Sequence, residues 1–392
     1  MNLGPIRVSV FGKSDLGRTR EHNEDTFLVA DLTLRNASLR PEVRDHVVGP
    51  RGSLFMVADG MGGAAAGEVA SRMAADVIYR HLSTEWGDDP DVSERRFAFR
   101  MREAVERANH EIHVYARAHP EMRGMGTTAT VAGVQGSNLY LAQIGDSRGY
   151  LARGGRLIQL TKDQSLMQRL VEAGELTEEE AEQSERRNII LQALGPDPKV
   201  KVELTYQPLR RGDTLVICSD GLFGLVKRDE IAEVIATTPD LAAVCGTLID
   251  LANARGGSDN ITVVLARFEG QGLPDADGAA GVEYRVYRPS GDVEPEEPPA
   301  MSMAAPPLAG AFAGVRAGGH AAAFGDASAP LPHAPVPLEP APLESAPGAP
   351  QVDAPAPGLA PPPGSSPSFP RALIAILLVV ALLIIISLLS RR

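Results

Sequence analysis

Apolar residues in the first 269 positions recur with two periods, which predict a domain of mixed α and β structure. Residues 6–11 alternate, as a half-exposed strand does, whereas 54–58 are apolar throughout, as a strand buried on both faces is. Further strands are predicted over 26–30, 129–134, 138–144, 149–153, 156–160, 200–206, 213–218 and 261–267. Helices are predicted over 64–82, 93–118, 228–237 and 240–254. We expect the first two helices to pack as a pair on one side of a sheet.

Two segments are less regular. Residues 31–52 contain Pro41, Pro50 and several charges, and they predict an irregular loop. Residues 164–187 have a helical but highly charged pattern, with three consecutive glutamates at 178–180 where a helix would begin. We expect this second segment to form a flap over a neighbouring site.

Aspartates recur where the apolar strands end. Asp59, Asp146 and Asp220 each lie just past such a strand, and Asp259 lies just before one. One aspartate in this position usually begins a turn, but the repetition favours a shared site. If the strands run antiparallel, the four carboxylates can meet at one edge of the sheet, where they would repel one another unless cations lay between them. Because these ligands are all oxygen, Mg²⁺ or Mn²⁺ fits better than Zn²⁺, and two such ions can promote phosphoester hydrolysis.

A polar stretch, residues 17–25, separates the first two strands. Such a stretch is typically a solvated turn. It also contains adjacent carboxylates, Glu24 and Asp25, and several arginines, which are the residues that a combined metal and phosphate site uses. A guanidinium can bind a phosphate through two parallel hydrogen bonds. From these residues alone, both interpretations stay open.

Composition excludes some classes of protein and marks a linker. Two cysteines among 392 residues argue against a disulfide framework or a cysteine-based zinc site, and a formal net charge of −12 argues against nucleic acid as a main partner. Of the 31 prolines, 22 fall within residues 271–370, among Ala, Gly and Ser. Such a segment buries too little apolar surface to offset its chain entropy, so residues 270–370 are predicted to be a disordered linker.

The last apolar segment has 18 residues, of which the first is Ala372, the last is Leu389 and only Ser387 is polar. As a helix it would be about 27 Å long, enough to cross most of the hydrocarbon core of a bilayer. We therefore expect residues 371–392 to form a single transmembrane anchor. The first ten residues lack the charged and apolar regions of a secretory signal, so the folded domain is expected on the cytoplasmic side.

Eight short motifs, in one order over about 250 residues, make the chain resemble the metal-dependent Ser/Thr protein phosphatases of type 2C. The motifs are Arg20-x-x-Asn23-Glu24-Asp25, Val57-Ala58-Asp59-Gly60-Met61-Gly62-Gly63, Gly126-Thr127-Thr128, Ile144-Gly145-Asp146-Ser147-Arg148, Thr161-x-Asp163-x-Ser165, Leu194-Gly195, Ser219-Asp220-Gly221-Leu222 and Gly257-x-Asp259-Asn260-Ile261-Thr262. The resemblance implies an α+β fold over residues 5–269: an αββα sandwich of two antiparallel sheets flanked by helix pairs.

The resemblance also implies a role for each candidate site residue. Asp59 would bridge two Mn²⁺ or Mg²⁺ ions, and Arg20 would bind the substrate phosphate. The remaining implied ligands fall into three groups: Asp220 and Asp259 at the first ion, Glu24, Asp25 and the Gly60 carbonyl at the second ion, and Asp146 with Asp220 at a third, weaker metal site. Asp59, Arg20 and Asp220 are the implied catalytic residues.

Two positions depart from the pattern of many relatives. Met61 stands where many eukaryotic members have a histidine thought to act as a general acid. Methionine cannot donate a proton, so the leaving oxygen must receive one from elsewhere. Bacterial members commonly lack this histidine, so the activity is still expected. Gln164 stands where histidine is frequent, and the sequence assigns it no role.

The resemblance implies a protein phosphatase that hydrolyses phosphoserine and phosphothreonine through a metal-activated water, without a phosphoenzyme. Its partners would be phosphorylated proteins and Ser/Thr protein kinases, and its catalytic domain would be monomeric. The alternative is a membrane-tethered, non-catalytic regulator that uses a phosphatase-like domain to bind phosphoproteins. The complete set of carboxylates favours the enzyme.

Overall fold

The computed structural model describes residues 4–184, 186–278 and 281–288. The linker beyond residue 288 and the apolar segment between Ala372 and Leu389 lie outside the described residues, so what the sequence predicts for them stays a prediction. Within the described ranges, no helix is both long and apolar enough to span a membrane.

Thirteen strands and eight α-helices occupy the described residues. The strands are β1 (Arg7–Asp15), β2 (Asp25–Asp31), β3 (Asn36–Ala37), β4 (Asp45–Val47), β5 (Ser53–Met61), β6 (Gly126–Thr127), β7 (Ala129–Gln135), β8 (Asn138–Ile144), β9 (Arg148–Arg153), β10 (Arg156–Gln159), β11 (Glu203–Pro208), β12 (Thr214–Cys218) and β13 (Ile261–Glu269). The helices are α1 (Pro41–Arg44), α2 (Ala64–His81), α3 (Glu94–Ala118), α4 (Leu166–Glu172), α5 (Glu178–Gln183), α6 (Asp220–Phe223), α7 (Arg228–Thr237) and α8 (Leu241–Ala254). A π-helical turn (Leu82–Trp86) extends α2, and a 3-10 turn (Pro120–Met122) follows α3.

The described strands form two sheets, and neighbouring strands pair antiparallel. The first sheet has the order β10-β9-β12-β13-β1-β4. The second has the order β11-β8-β7-β5-β2-β3, with β6 paired to the end of β5. In the first sheet, β1 and β13 pair over nine residues, and Asp15 lies opposite Ile261. The loop that follows β1 therefore lies beside the loop that precedes β13.

Three apolar cores divide the fold into four layers. One core lies between the second sheet and the helix pair α2 and α3, another lies between the first sheet and α7 and α8, and the third lies between the two sheets. Strand β5 contributes to two of these cores, because Leu54 and Met56 face the helices while Phe55 and Val57 face the other sheet. A strand covered on both faces needs apolar residues at successive positions. The predicted αββα sandwich and the predicted pairing of the first two helices are confirmed.

The segment 31–52 contains more structure than the predicted irregular loop. It holds the two-residue strand β3, the short helix α1 and the three-residue strand β4, which pairs with the edge of β1. The charged segment 164–187 contains two short helices, α4 and α5. Helix α5 begins with a capping box, in which Thr177 and Glu180 each accept a backbone N–H of the other.

After β13 the chain packs back onto the domain. Leu273 is 1% exposed and Val282 is 8% exposed, and both belong to the core between the sheets. We call residues 281–288 the C-terminal strap. The packed part of the chain therefore continues beyond residue 269, where composition predicts that the linker begins.

The C-terminal strap runs along β11 at the edge of the second sheet. The Tyr206 N–H donates to the Arg285 carbonyl (3.0 Å), and the Tyr287 N–H donates to the Leu204 carbonyl (2.8 Å). The Tyr287 ring makes T-shaped contacts with Tyr140 and Tyr206, with centroid distances of 5.3 Å and 5.7 Å. The strap thus covers the edge of β11, which would otherwise present unpaired backbone groups.

Candidate active site

The predicted acidic residues come from both sheets. Asp25 opens β2 and pairs in register with Asp59 on β5, in the second sheet. Asp146 lies in the turn between β8 and β9. Asp220 begins α6 just after β12, and Asp259 lies just before β13, in the first sheet. The expectation that the carboxylates meet at one edge of a single sheet is therefore wrong, because the strands that position them belong to two sheets.

Direct contacts bring these carboxylates together across the two sheets. The Ser219 hydroxyl, which follows β12, donates to Asp25 Oδ2 on β2 (2.7 Å). The charges of Asp25, Asp146, Asp220 and Asp259 all act on Asp59 and raise its pKa. All five carboxyl groups therefore share one electrostatic environment.

Burial raises the pKa values of four of these carboxyl groups, and the charges of neighbouring aspartates add to the effect. The pKa of Asp25 and the pKa of Asp146 rise to about 7, and the pKa of Asp220 rises to about 6. The pKa of Asp59 rises well above its ordinary value, through burial and then through the charge of Asp25. Each ionised carboxylate is thus costly here unless a positive charge compensates it.

The residues present fit hard metal ions. Asp25 Oδ1 and Asp220 Oδ1 are buried and have no hydrogen-bond partner among the described residues, which costs free energy unless a donor or a cation compensates them. Across the described ranges, no three Asp, Glu, His or Cys side chains are already arranged so that they could hold a metal ion. The carboxylates thus lie close enough to repel one another, but they are not yet arranged to coordinate a metal ion. An all-oxygen group of this kind suits Mg²⁺ or Mn²⁺.

Glu24 approaches this group from the loop before β2, and two glycines make room for it. A Cβ atom on Gly67 would lie 1.9 Å from Glu24 Oε2, and a Cβ atom on Gly60 would lie 2.2 Å from the Gly67 carbonyl oxygen. Burial is the largest cause that raises the pKa of Glu24, while the charge of Arg20 lowers it. Gly60 is a predicted ligand, but the sequence does not reveal Gly67, because a glycine within a helical pattern carries no sign of this contact.

Arg20 lies at the rim of the group. Its side chain is 50% exposed, and its Nη2 donates to Asp259 Oδ2 (2.7 Å). This hydrogen bond is the largest cause that raises the pKa of Arg20. The guanidinium is thus fixed beside one of the predicted ligands and still faces solvent, from which a phosphate would approach.

Two threonines hold the backbone of Asp59. Thr127 Oγ1 donates to the Asp59 carbonyl (2.9 Å), and Thr128 Oγ1 accepts the Asp59 N–H (2.9 Å). The Thr128 hydroxyl also bonds to Ser147 Oγ (2.8 Å), in the turn that carries Asp146. Thr128 and Ser147 are both buried, so these bonds fix Asp59 relative to that turn. The threonine motif is visible in the sequence, but its role is not.

Two further side chains support the turn between β8 and β9. The Gln164 N–H donates to the Gly145 carbonyl (2.9 Å), and Gln164 Oε1 accepts the Gly145 N–H (3.0 Å). Arg148 forms a bidentate pair with Asp163, with a shortest distance of 2.7 Å, and its guanidinium lies 3.9 Å above the Phe223 ring. Gln164 therefore has a structural role that the sequence does not indicate. The Arg148 guanidinium is occupied by its contacts with Asp163 and Phe223.

Comparison with known proteins places this domain among phosphatases. The family model for protein phosphatase 2C matches residues 42–260. The serine/threonine phosphatase stp of Listeria monocytogenes is 38% identical over 254 residues, which are 64% of this chain and 93% of that protein. The serine/threonine protein phosphatase PstP of Mycobacterium tuberculosis is 37% identical over 254 residues, which are 65% of this chain and 44% of that protein.

Solved structures are also similar. The crystal structure of the M. tuberculosis phosphatase PstP/Ppp has 36% sequence identity and a TM-score of 0.57, and the match covers 67% of this chain and 99% of that one. The catalytic domain of PstP in complex with two manganese ions has 35% identity and a TM-score of 0.55, with the same coverage. A similar domain therefore binds two metal ions, which agrees with the donor set described above.

Proposed function

Because the chain belongs to the protein phosphatase 2C family, we propose that it is a protein serine/threonine phosphatase, which hydrolyses phosphoserine and phosphothreonine in proteins and so counteracts Ser/Thr protein kinases. The observation that carries the proposal is the buried group of carboxylates from two sheets. Oxygens of Asp25 and Asp220 in this group have no hydrogen-bond partner among the described residues, and Arg20 lies at the rim.

The proposed ligands of two Mn²⁺ or Mg²⁺ ions are oxygens of this group. Asp59 would help to hold both ions. The other proposed ligands are Asp220 and Asp259 for one ion, Glu24, Asp25 and the Gly60 carbonyl for the other, and Asp146 with Asp220 for a third, weaker site. When bound, such ions supply a water molecule of lowered pKa and neutralise charge on the phosphate.

The side chains of the chain itself bind and orient the substrate. Arg20 binds the phosphate through its planar guanidinium, which matches two phosphate oxygens at once. Met61, one residue beyond Gly60, has no proton to donate, so it takes no part in protonating the leaving serine or threonine oxygen. Thr127 and Thr128 keep Asp59 in place through the hydrogen bonds to its backbone.

The test is hydrolysis of a phosphothreonine peptide with and without Mn²⁺. We expect turnover that requires Mn²⁺ and that falls by roughly 10³-fold or more in Asp59→Asn and in Asp220→Asn, as for other residues that act in the chemical step. The matched control is Asp76→Asn, which changes an exposed aspartate on α2. A wild-type protein that binds phosphopeptides with Mn²⁺ present but never turns them over would instead be the non-catalytic regulator.

We also propose that residues 371–392 anchor the protein in a membrane, with the catalytic domain in the cytoplasm, where protein kinases find their ATP. The support is the 18-residue apolar segment between Ala372 and Leu389. Full-length protein should stay in the membrane fraction after carbonate and high-salt washes, and release by either wash would contradict the anchor.

The catalytic domain is proposed to act as a monomer, which sedimentation of detergent-solubilised protein tests.

A further inference from the structure

A buried asparagine lies beneath the loop that carries Arg20. We call residues 16–24, which join β1 to β2, the arginine loop. Asn260 is 4% exposed and sits just before β13, beside this loop. Its Nδ2 donates to the carbonyls of Leu16 (3.0 Å) and His22 (3.0 Å), and its Oδ1 accepts the Glu24 N–H (2.9 Å).

These contacts fix which end of the Asn260 side-chain amide is the nitrogen and which is the oxygen. Two carbonyl oxygens face the nitrogen, which has two N–H groups to donate, and a backbone N–H faces the oxygen. The reversed amide would place an oxygen against two other oxygens. Asn260 therefore ties together the loop positions on either side of Arg20, namely Leu16 before it and His22 after it.

Neighbouring residues of the same segment hold the loop as well. The Arg18 N–H donates to the Gly257 carbonyl (2.7 Å), and Arg20 itself pairs with Asp259 (2.7 Å). A Cβ atom on Gly17, which has a φ of 79°, would lie 2.2 Å from the Asp259 carbonyl oxygen. The arginine loop thus rests on residues 257–260, although its residues 18–22 are exposed.

We propose that Asn260 is a positioning residue, which acts through Arg20 to prepare the loop for phosphate binding. The inference rests on the proposed function, in which Arg20 binds the phosphate. A loop that already holds its arginine in place avoids part of the ordering cost when the guanidinium binds phosphate. An exposed loop without this tie has to be ordered when phosphate binds, and the ordering reduces the affinity.

The first experiment measures the dissociation constant of inorganic phosphate by calorimetry on the Mn²⁺-loaded, full-length protein. Asn260→Ala removes the tie to Leu16, His22 and Glu24. We expect it to weaken phosphate binding roughly tenfold and to raise the KM for a phosphothreonine peptide by a similar factor, with kcat changed much less. The dissociation constant of Mn²⁺, measured without phosphate, should change less than about threefold.

The second experiment asks whether the effect passes through Arg20. In an Arg20→Ala background, Asn260→Ala should weaken phosphate binding no further, because coupled residues give non-additive effects. The matched control is Asn109→Ala. Asn109 is also a buried asparagine, which accepts the Gly195 N–H (2.8 Å) and donates to the Asp197 carbonyl (3.1 Å), far along the chain from the arginine loop. This control should lower stability and leave the affinity for phosphate unchanged.

Equal weakening by Asn260→Ala with and without Arg20, or a parallel tenfold loss of Mn²⁺ affinity, would overturn the proposal. If Asn260→Ala does not fold, Asn260→Ser keeps a polar group in the site, and a smaller loss of phosphate affinity that depends on Arg20 is then expected. Failure of the proposed function gives a different result, because the wild-type protein itself would then not turn over the peptide, while the phosphate affinities of the variants would still decide whether Asn260 acts through Arg20.

Discussion

At the scale of single residues, short polar side chains form hydrogen bonds that hold two of the predicted metal ligands in place. Ser219 donates to the carboxylate of Asp25, and Thr127 and Thr128 bond to the backbone of Asp59. Buried hydrogen bonds of this kind fix geometry because leaving either partner unsatisfied costs the full desolvation of that group. The ligands are therefore positioned by residues that do not themselves carry charge.

We predict that Thr128→Val lowers the free energy of unfolding by about 1–3 kcal/mol, because it leaves the buried Asp59 N–H without its acceptor and removes the bond to Ser147. Urea titration of the metal-free protein measures this change. Thr128→Ser keeps the hydroxyl and should lose clearly less. A loss in Thr128→Ser as large as that in Thr128→Val would contradict the dominant role of the hydroxyl at this position.

A second residue-scale prediction concerns the ion pair between Arg153 and Asp213, whose side chains are 2% and 0% exposed. The guanidinium donates to both oxygens of Asp213, at 2.7 Å and 2.6 Å. Asp213→Asn would remove the bidentate carboxylate from the buried Arg153 guanidinium, so we expect a loss of about 3–5 kcal/mol in the free energy of unfolding by urea. Arg72→Gln, which breaks an exposed pair with Glu68, should cost less than about 1 kcal/mol. Similar losses in both would contradict the role of burial.

At the scale of elements, long periodic segments are predictable and short or locally irregular ones are not. Helix α7 (Arg228–Thr237) has the predicted bounds, and α2, α3 and α8 each differ from prediction by one residue at one end. Strands β3 and β4 have two and three residues, too few to show a period of two, so the sequence could not reveal them. The C-terminal strap lies in a segment rich in Pro and Gly, and this composition does not indicate the contacts of the Tyr287 ring with Tyr140 and Tyr206.

We predict that Tyr287→Ala in the full-length protein lowers the free energy of unfolding by about 1–3 kcal/mol. The ring packs against Tyr140 and Tyr206, and aromatic pairs contribute both apolar burial and a favourable edge-to-face geometry. Tyr287→Phe keeps the ring and should cost less than about 0.5 kcal/mol. If Tyr287→Ala unfolds in urea like the wild-type protein, the strap adds nothing to the stability of the domain.

At the scale of the whole molecule, the sequence identifies the acidic residues but not how they meet. Each aspartate is recognisable because a buried strand precedes or follows it. Which strands are neighbours depends on pairings such as Asp25 with Asp59 and β1 with β13, between residues far apart in the chain. Local periodicity contains no information about such pairings, so only the structure shows that the site is divided between two sheets.

The last prediction couples the metal site to the stability of the whole domain. Without metal ions, the pKa values of Asp25 and Asp146 are about 7 and that of Asp220 is about 6, all above the ordinary value of 3.8. Between about pH 4 and pH 7 the folded protein therefore binds more protons than the unfolded chain, so these groups make stability fall as pH rises through that window. Metal ions bind the ionised carboxylates, so they compete with protons and bind more strongly at the upper end of the window.

We expect Mn²⁺ to raise the Tm of the protein considerably more at pH 7.5 than at pH 5.5. Asp220→Asn should reduce this difference between the two pH values, and the exposed Asp76→Asn should leave it unchanged. An equal rise in Tm at both pH values would mean that these carboxylates do not hold the metal.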